Sequence, residues 1–315
     1  MKSLKVVFFG TPEFAKHALE SIHQSNHDVV GVVTVADKAS GRGQKINKSA
    51  VKLYAESENL PIFQPEKLRN PEFLEQMKEL NADIFVVVAF RMMPKVLFSM
   101  PPMGTFNLHA SLLPDYRGAA PINYAIINGE KITGATTFFI NEKIDEGNIL
   151  LQDQLNVEPD EDAGSLHDRL MVMGGDLIVK TLDALAEGTI EEQPQPNVEQ
   201  PKNAFKIFKE DTRINWEQPS EVIHNFIRGM SPYPAAFTTL KIGEESKGLK
   251  IYKGKYTISN SEAKAGTVVI SKSGFGIQTN DGIYEPLEVQ LEGKKRMNVK
   301  DFLNGFREFD NITLA

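Results

Sequence analysis

The first ninety residues alternate short apolar runs with amphipathic segments, and this alternation limits the fold more than any other feature. The apolar runs are LKVVFFG, DVVGVVTV, LPIF and ADIFVVVAF, and the segments between them are TPEFAKHALESIHQS, Ser49 to Asn59 and Pro71 to Leu80. Consecutive apolar residues are typical of strands that are buried on both faces. The alternation therefore predicts a Rossmann-like, mostly parallel sheet with flanking helices, the first of them capped by Thr11 with Pro12 at its first position.

The phosphate-binding loops of two common classes of this architecture are missing from the sequence. The turn after the first apolar run, GTPEF, lacks the G-x-G-x-x-G pattern of dinucleotide-binding folds, and no Walker glycine–lysine loop follows any predicted strand. A nicotinamide-dependent oxidoreductase and a P-loop nucleotidase are therefore disfavoured. Open sheets of this kind place their ligand crevice beyond the carboxyl ends of the strands, so we look for chemistry there.

Charge is distributed unevenly along the 315 residues. The net charge is −7, yet residues 1–201 carry 18 basic and 28 acidic side chains, whereas residues 202–315 carry 17 and 14. Within the acidic part, the run from Lys38 to Lys52 holds five basic residues and no acidic one. Such a run is often only a solvated loop. Two separate basic surfaces nevertheless favour an anionic partner, because phosphate neutralisation is local.

The chain contains no cysteine, so disulfides, thiolate catalysis and cysteine-bound metals are excluded. The apolar run at Val6 to Phe9 is too short for a signal peptide or a membrane span. We expect a cytoplasmic protein in a reducing compartment.

The last third of the chain has a different pattern. A Pro-rich polar segment, EEQPQPNVEQPKN, reads as a semi-rigid linker. Beyond it, RINWEQPSEVIHNFIRGMSPYPAAF is predicted to form one amphipathic helix, and short strands separated by turns follow, which indicates a small, OB-like β-barrel. We therefore predict a catalytic domain over residues 1–190, a linker over residues 191–206 and a barrel over residues 207–315.

The polar residues that could do chemistry cluster between Phe106 and Gly147. Asn107 and His109 alternate in a strand, so both point to one face. A hairpin turn with the sequence DEG then supplies Asp145. Asn107 could donate to a developing oxyanion, and Asp145 could orient the imidazole of His109 during proton transfer. The alternatives are a structural strand histidine and an ordinary Asp-Glu-Gly turn.

The stretch FNLHASLLPDYRGAAPINYAI, followed by ITGATTFFINEKIDEGNIL, resembles the signature of folate-dependent formyltransferases. FFGTPEFA, GRGQK and KIFKEDTRINW are similar to the branch of that family that acts on methionyl-tRNA. The resemblance covers nearly the whole chain and implies transfer of a formyl group from 10-formyltetrahydrofolate to the α-amine of methionyl initiator tRNA. It assigns catalysis to Asn107, His109 and Asp145.

The resemblance also implies the binding residues. The folate pocket would be lined by Ser111, Leu112, Leu113 and Pro114 and by the strand end at Phe90, Arg91 and Met92, with no metal. The tRNA would contact Lys38, Arg42 and Lys45 of the basic loop and Lys250 and Lys253 of the barrel, and the enzyme would act as a monomer. Many members of the family have Gly where Arg91 stands, and Asp115-Tyr116 replace a common Arg-Trp pair.

Three other functions share some of these features. A formyltransferase with a small-molecule acceptor would use the same trio but would not need the basic loop or the barrel. A hydrolase that deformylates the folate generally carries an N-terminal regulatory domain. A non-catalytic RNA-binding protein would have no reason to retain Asn107, His109 and Asp145 together.

Overall fold

The computed structural model describes residues 2–40, 45–259, 263–271, 274–305 and 312–314. Arg42 lies outside these residues, and at Lys38 and Lys45 only the main chain is described. The described chain divides into two compact units. Unit 1 comprises residues 1–118, 133–155 and 167–203, and unit 2 comprises residues 119–132, 156–166 and 204–315. The domain boundaries given above stay a prediction.

The described residues up to Glu187 form ten strands and six helices. The strands are β1 (Lys5–Gly10), β2 (Asp28–Val33), β3 (Lys38–Ser40), β4 (Lys45–Asn47), β5 (Ile62–Phe63), β6 (Ile84–Val88), β7 (Thr105–His109), β8 (Arg117–Gly118), β9 (Ile132–Phe139) and β10 (Ile149–Asn156). The helices are α1 (Glu13–His23), α2 (Ala50–Ser57), α3 (Pro71–Glu79), α4 (Lys95–Phe98), α5 (Pro121–Ile127) and α6 (Ala163–Glu187). The predicted helix–strand alternation is confirmed.

The central sheet of unit 1 has the strand order β10-β9-β7-β6-β1-β2-β5. Strands β7, β6, β1, β2 and β5 run parallel, and β9 pairs with β7 in the antiparallel sense. The order of the parallel strands reverses between β1 and β6, so the carboxyl ends of these strands flank the expected crevice. The carboxyl end of β7, at His109, lies next to that of β6.

The first helix departs from its predicted start by one residue. Pro12 is the N-cap and Glu13 the first helical residue, and no side chain caps the helix. The α2 and α3 helices have the side-chain caps that α1 lacks, because Ser49 accepts from the Lys52 amide and Asn70 from the Glu72 amide. Thr11 is therefore not a cap.

Unit 2 contains the C-terminal strands. After β11 (Asn203–Ala204) and a 3-10 turn (Glu210–Thr212) come α7 (Ser220–Met230), β12 (Ala236–Ile242), β13 (Glu245–Ile258), β14 (Val268–Ser271), β15 (Gly274–Gln278), β16 (Gly282–Leu291), β17 (Met297–Asn298), α8 (Val299–Asn304) and β18 (Ile312–Leu314). The order β14-β15-β16-β13-β12-β18 forms a nearly closed antiparallel barrel, as the turn-separated strands predict. Trp216, Ile227 and Tyr284 are buried in its core.

The single amphipathic helix predicted from Arg213 onward is shorter than expected. Residues 213–219 are not helical, because Arg213 pairs with Phe237 beside β12 and Pro219 precedes the first turn of α7. Among the described residues of both units, no helix is both long and apolar enough to cross a membrane.

We expect His224 to make unfolding sensitive to acid. Burial, followed by the charge of Arg228, lowers the pKa of His224, whose ring packs against Tyr256 and Tyr284. The unfolded chain then binds more protons, so the stability that the neutral ring contributes is complete above about pH 6.5 and is lost as the pH falls through the lowered value. His224→Phe, which preserves the ring packing, should reduce the difference in Tm between about pH 7.5 and pH 5.5.

The control is His167→Phe, because His167 is a half-buried histidine of α6 that is paired with Asp168 and is not part of the barrel core. If His224→Phe leaves the pH dependence of Tm equal to that of the parent, His224 does not carry this effect.

Candidate active site

Asn107 is held on β7 by pairing with strands on both sides, and His109 by pairing with β9 on one side. Asn107 lies opposite Val87 of β6 and Phe138 of β9, and His109 lies opposite Thr136 of β9. The intervening Leu108 points the other way, toward α6, where Gly174 allows close packing. The two polar side chains therefore share the opposite face of a strand that cannot shift, which confirms the predicted alternation.

The amide of Asn107 is available to a substrate. The residue is half-buried, and its side chain makes no hydrogen bond with any residue that the structure describes. An amide in this state can donate to an oxygen that gains charge during a reaction, with little reorganisation.

The tautomer of His109 follows from its contacts. Nε2 lies 2.8 Å from the carbonyl oxygen of Tyr116. A carbonyl only accepts, so Nε2 must donate and carries a proton in every charge state. Nδ1 lies 3.8 Å from Oδ2 of Asp145, and the histidine side chain is 8% exposed. Nδ1 is therefore the ring nitrogen that can exchange a proton with a substrate, and it lies beside the carboxylate of Asp145.

Asp145 is fixed by the turn that carries it. Its backbone has φ +54°, a left-handed conformation that is uncommon for residues other than Gly, Asn and Asp. Its Oδ2 accepts a 3.0 Å hydrogen bond from the Gly118 amide. Two residues later, a Cβ on Gly147 would lie 1.5 Å from the Phe139 carbonyl oxygen, so this position requires glycine. The DEG turn is thus a constrained structure that presents one carboxylate.

The SLLP segment forms a rigid wall next to these residues. The Ser111 hydroxyl donates to the Asp115 carbonyl at 2.7 Å, and Thr136 donates to the Ser111 carbonyl at 2.6 Å. Leu113 is buried against Phe138 and Ile149. The side chains of Ser111 and Leu113 therefore contact other residues of the protein, while Leu112 and Pro114 are half-buried. If this segment contacts folate, the contact would involve its accessible surface at Leu112 and Pro114 and not the hydroxyl of Ser111.

The strand end at Phe90 to Met92 leaves the neighbouring strand, β6. The rings of Phe90 and Phe9 form a T-shaped contact with 5.8 Å between their centroids, and Met92 is 74% exposed. Arg91 donates to the Glu66 carbonyl at 2.8 Å and also to the Pro65 carbonyl. Its guanidinium therefore holds the loop at residues 65–66. A role for Arg91 in folate binding stays a prediction.

Comparison with known proteins identifies the family. Residues 4–182 match the formyl transferase family, and residues 206–307 match the formyl transferase C-terminal domain. The chain belongs to the formyltransferase family. The resemblance seen in the sequence and the expected reaction class are thereby confirmed.

Relatives of this formyltransferase span its whole length. A methionyl-tRNA formyltransferase of Flavobacterium johnsoniae is 49% identical over 305 residues, covering 97% of both chains. One of Parabacteroides distasonis is 45% identical over 322 residues, covering 100% of this chain and 99% of the other. An N-formyltransferase of Helicobacter canadensis, solved with folinic acid and dTDP-3-aminofucose, shares the fold with a TM-score of 0.65 at 24% identity, covering 90% of this chain and 99% of the other. The family uses folate-derived formyl donors.

The structure adds two side chains to the site that the sequence reasoning missed, Gln195 and Arg117. Gln195 belongs to the Pro-rich segment interpreted as a linker, yet its amide donates to the carbonyls of Asp145 and Gly147 at 2.8 and 2.9 Å. Arg117 donates to Gln195 and lies 3.4 Å from Glu146. Both residues line a cavity of about 260 Å³ beside the turn. No local pattern marks these contacts, because 50 residues separate Gln195 from Asp145.

The barrel lysines differ in their surroundings. Lys250 donates to the Pro234 carbonyl at 3.2 Å, and Lys253 lines a separate cavity of about 220 Å³ in unit 2. Lys247 and Lys255 are paired with Glu245 and Glu285. Lys250 and Lys253 are therefore the exposed cations of this strand without a carboxylate partner among the described residues.

Across the described ranges, no three acidic or histidine side chains are placed so that they could hold a metal ion.

Proposed function

We propose that this formyltransferase transfers the formyl group of 10-formyltetrahydrofolate to the α-amino group of methionyl initiator tRNA, as a cytoplasmic monomer. The observation that carries the proposal is full-length similarity, at 45–49% identity, to methionyl-tRNA formyltransferases. The arrangement of Asn107, His109 and Asp145 within unit 1 supports it chemically.

In this reaction the amine nitrogen attacks the formyl carbon, and the bond from that carbon to the folate nitrogen breaks. Asn107 donates to the formyl oxygen while that oxygen gains negative charge. Nδ1 of His109 gives or takes the proton, since Nε2 is committed to the Tyr116 carbonyl. Asp145, whose carboxylate lies 3.8 Å from Nδ1 of His109, helps to move the proton from the attacking amine to the leaving nitrogen.

We assign folate contacts to the backbone of Ser111, Leu112, Leu113 and Pro114, because the side chains of Ser111 and Leu113 are buried. We assign further folate contacts to Phe90, Arg91 and Met92, which follow the adjacent parallel strand. We assign tRNA contacts to Lys38, Arg42, Lys45, Lys250 and Lys253. Lys250 and Lys253 are exposed and have no carboxylate partner among the described residues. This supports the second assignment, since phosphate contacts give most of the affinity for nucleic acids.

The deciding experiment offers 10-formyltetrahydrofolate with three acceptors: methionyl-tRNA, glycinamide ribonucleotide and water alone. Transfer to the tRNA only would support the proposal. Transfer to the ribonucleotide would be consistent with catalysis by Asn107, His109 and Asp145 but would reject tRNA binding by the barrel. Release of formate without an acceptor would indicate a hydrolase, and no reaction in any mixture would favour a non-catalytic RNA-binding protein.

We expect tRNA affinity to fall steeply between about 50 and 200 mM salt. Substituting both Lys250 and Lys253 with Ala should make the slope of log K against log[salt] shallower by about 2, one for each lost phosphate contact. Filter binding at several salt concentrations measures this slope.

Lys78→Ala is the matched control, because Lys78 is an exposed lysine of α3 paired with Glu75. An equal slope in the parent and in the double variant would reject the assignment of these two lysines to the tRNA.

A further inference from the structure

We infer that Gln195 is a positioning residue that holds the catalytic carboxylate of Asp145 against His109. The inference rests on the proposed chemistry of that site. It assigns a functional role to a segment whose composition indicates only a linker.

Both polar groups of the Gln195 side-chain amide form hydrogen bonds within the site. Its Nε2 donates to the carbonyls of Asp145 and Gly147, on either side of Glu146, at 2.8 and 2.9 Å. Its Oε1 accepts from Nε of Arg117 at 3.1 Å and from Nη2 of the same guanidinium. Two donors and one carbonyl oxygen are all that a glutamine amide offers, so no part of this group is free for another task.

Arg117 fixes which way the amide points. A guanidinium only donates, so the oxygen of Gln195 must face it and the NH₂ group must face the turn. Arg117 also lies 3.4 Å from the carboxylate of Glu146. The next residue, Gly118, donates to the carboxylate of Asp145. Every residue of the DEG turn is thus held by Gln195 or by the Arg117–Gly118 pair.

The turn needs this support because Asp145 has a left-handed backbone. Asp adopts this conformation more readily than most residues other than Gly and Asn, but it is still less favourable than a right-handed or extended backbone, so contacts with the surroundings help to maintain it. The carboxylate lies 3.8 Å from Nδ1 of His109, so a small relaxation of the turn would separate the two groups.

The Pro-rich segment is brought to the turn by main-chain pairing. The main chain of Gln193 exchanges two hydrogen bonds with Ile149 at the start of β10, at 2.7 and 2.9 Å. Pro194 and Pro196 flank Gln195 and restrict its backbone. Gln195 is half-buried, whereas both prolines and Gln193 are exposed. Among these four residues, Gln195 is the one whose side chain forms hydrogen bonds with the turn.

The test is a double-mutant cycle between Gln195→Met and Asp145→Asn. Methionine has nearly the volume of glutamine but forms none of the four hydrogen bonds. We expect Gln195→Met alone to lower kcat about ten- to hundredfold, as a misplaced catalytic group does, with KM for both substrates within about twofold. In the Asp145→Asn background, Gln195→Met should have little further effect, because the charge that it positions is already absent.

Gln193→Met is the matched control, with the same substitution two residues earlier on an exposed side chain, and it should retain parental kcat. A parental kcat in Gln195→Met, or an equal loss with and without the Asp145 carboxylate, would overturn the inference, the second by indicating a merely structural role. If Gln195→Met unfolds at the assay temperature, Gln195→Glu takes its place in the cycle. Glutamate keeps the size and the Arg117 contacts but turns an acceptor toward the two carbonyls, so the same loss of kcat is expected.

Failure of the proposed function would be visible in the parent enzyme, which would then not formylate methionyl-tRNA. The cycle can in that case be measured with whichever acceptor the parent uses. The role of Gln195 is therefore judged separately from the identity of the acceptor.

Discussion

Asp145→Asn is expected to lower kcat for formyl transfer by about 10²–10⁴-fold, the range in which proton-transfer groups contribute to catalysis. Asparagine retains the size of the side chain and can still accept the 3.0 Å hydrogen bond from the Gly118 amide through its carbonyl oxygen. The substitution thus removes the charge while the turn keeps its structure. Without that charge, the proton that passes through Nδ1 of His109 loses the carboxylate, 3.8 Å away, that helps to move it from the attacking amine to the leaving nitrogen. Steady-state kinetics over a range of both substrates measures the effect.

The control is Asp153→Asn on β10, which makes the same chemical change at a carboxylate paired with Lys180 on the surface. Asp153→Asn should retain parental kcat, and both variants should bind methionyl-tRNA with parental affinity. If Asp145→Asn weakened tRNA binding as much as it slowed turnover, Asp145 would be a binding residue and our assignment of its role would be wrong.

The sequence allowed the architecture of the fold to be predicted because its signals are local. The apolar runs at β1, β2 and β6 and the helical spacing of α2 and α3 each report burial within one element, and the turn-separated strands report the barrel. Element ends were predicted less well. Pro12 can occupy either the N-cap or the first helical position, and the helix expected from Arg213 begins only after Pro219, because tertiary pairing with Phe237 holds Arg213 in an extended conformation.

Parts of the active site could also be predicted, each for a stated reason. Asn107 and His109 follow from strand alternation, whereas Asp145 follows from its place in a hairpin together with the family resemblance. Which ring nitrogen of His109 carries the proton could not be predicted, since this depends on the contact of Nε2 with the carbonyl of Tyr116. Arg91 likewise gave no local signal for its partners, the carbonyls of Pro65 and Glu66. The sequence does not mark contacts of this kind, because main-chain carbonyls are present at every position.

The contacts of the Pro-rich segment could not be predicted from its composition either. Its composition is that of a linker, and prolines do favour extended, semi-rigid chain. In the structure that stiffness places Gln195 beside the turn, where 48 residues separate it from Gly147. Composition reported the stiffness of the segment correctly and said nothing about what the segment contacts.

Asn107→Ala is expected to lower kcat by about 10²–10³-fold, the cost of removing one preorganised oxyanion donor. The side-chain amide has no hydrogen-bond partner among the described residues, so its truncation leaves no buried group unpaired and stability should change little. The β7 backbone stays paired with β6 and β9, which keeps His109 in place. KM should stay within about twofold, because the amide acts mainly on charge that develops in the transition state. Kinetics of formyl transfer, with Tm as the measure of folding, tests both statements.

Asn107→Asp tests whether residue 107 acts by donating a hydrogen bond to the formyl oxygen or only by filling space. A carboxylate has the same shape as the amide but offers only acceptors and a negative charge, which repels the formyl oxygen as that oxygen becomes negative. Its kcat should therefore be lower than that of Asn107→Ala. Asn26→Ala, at an exposed asparagine before β2, is the control that should retain parental kcat. If Asn107→Asp were more active than Asn107→Ala, filling the space would matter more than donating to the oxygen, and the oxyanion role of Asn107 would be rejected.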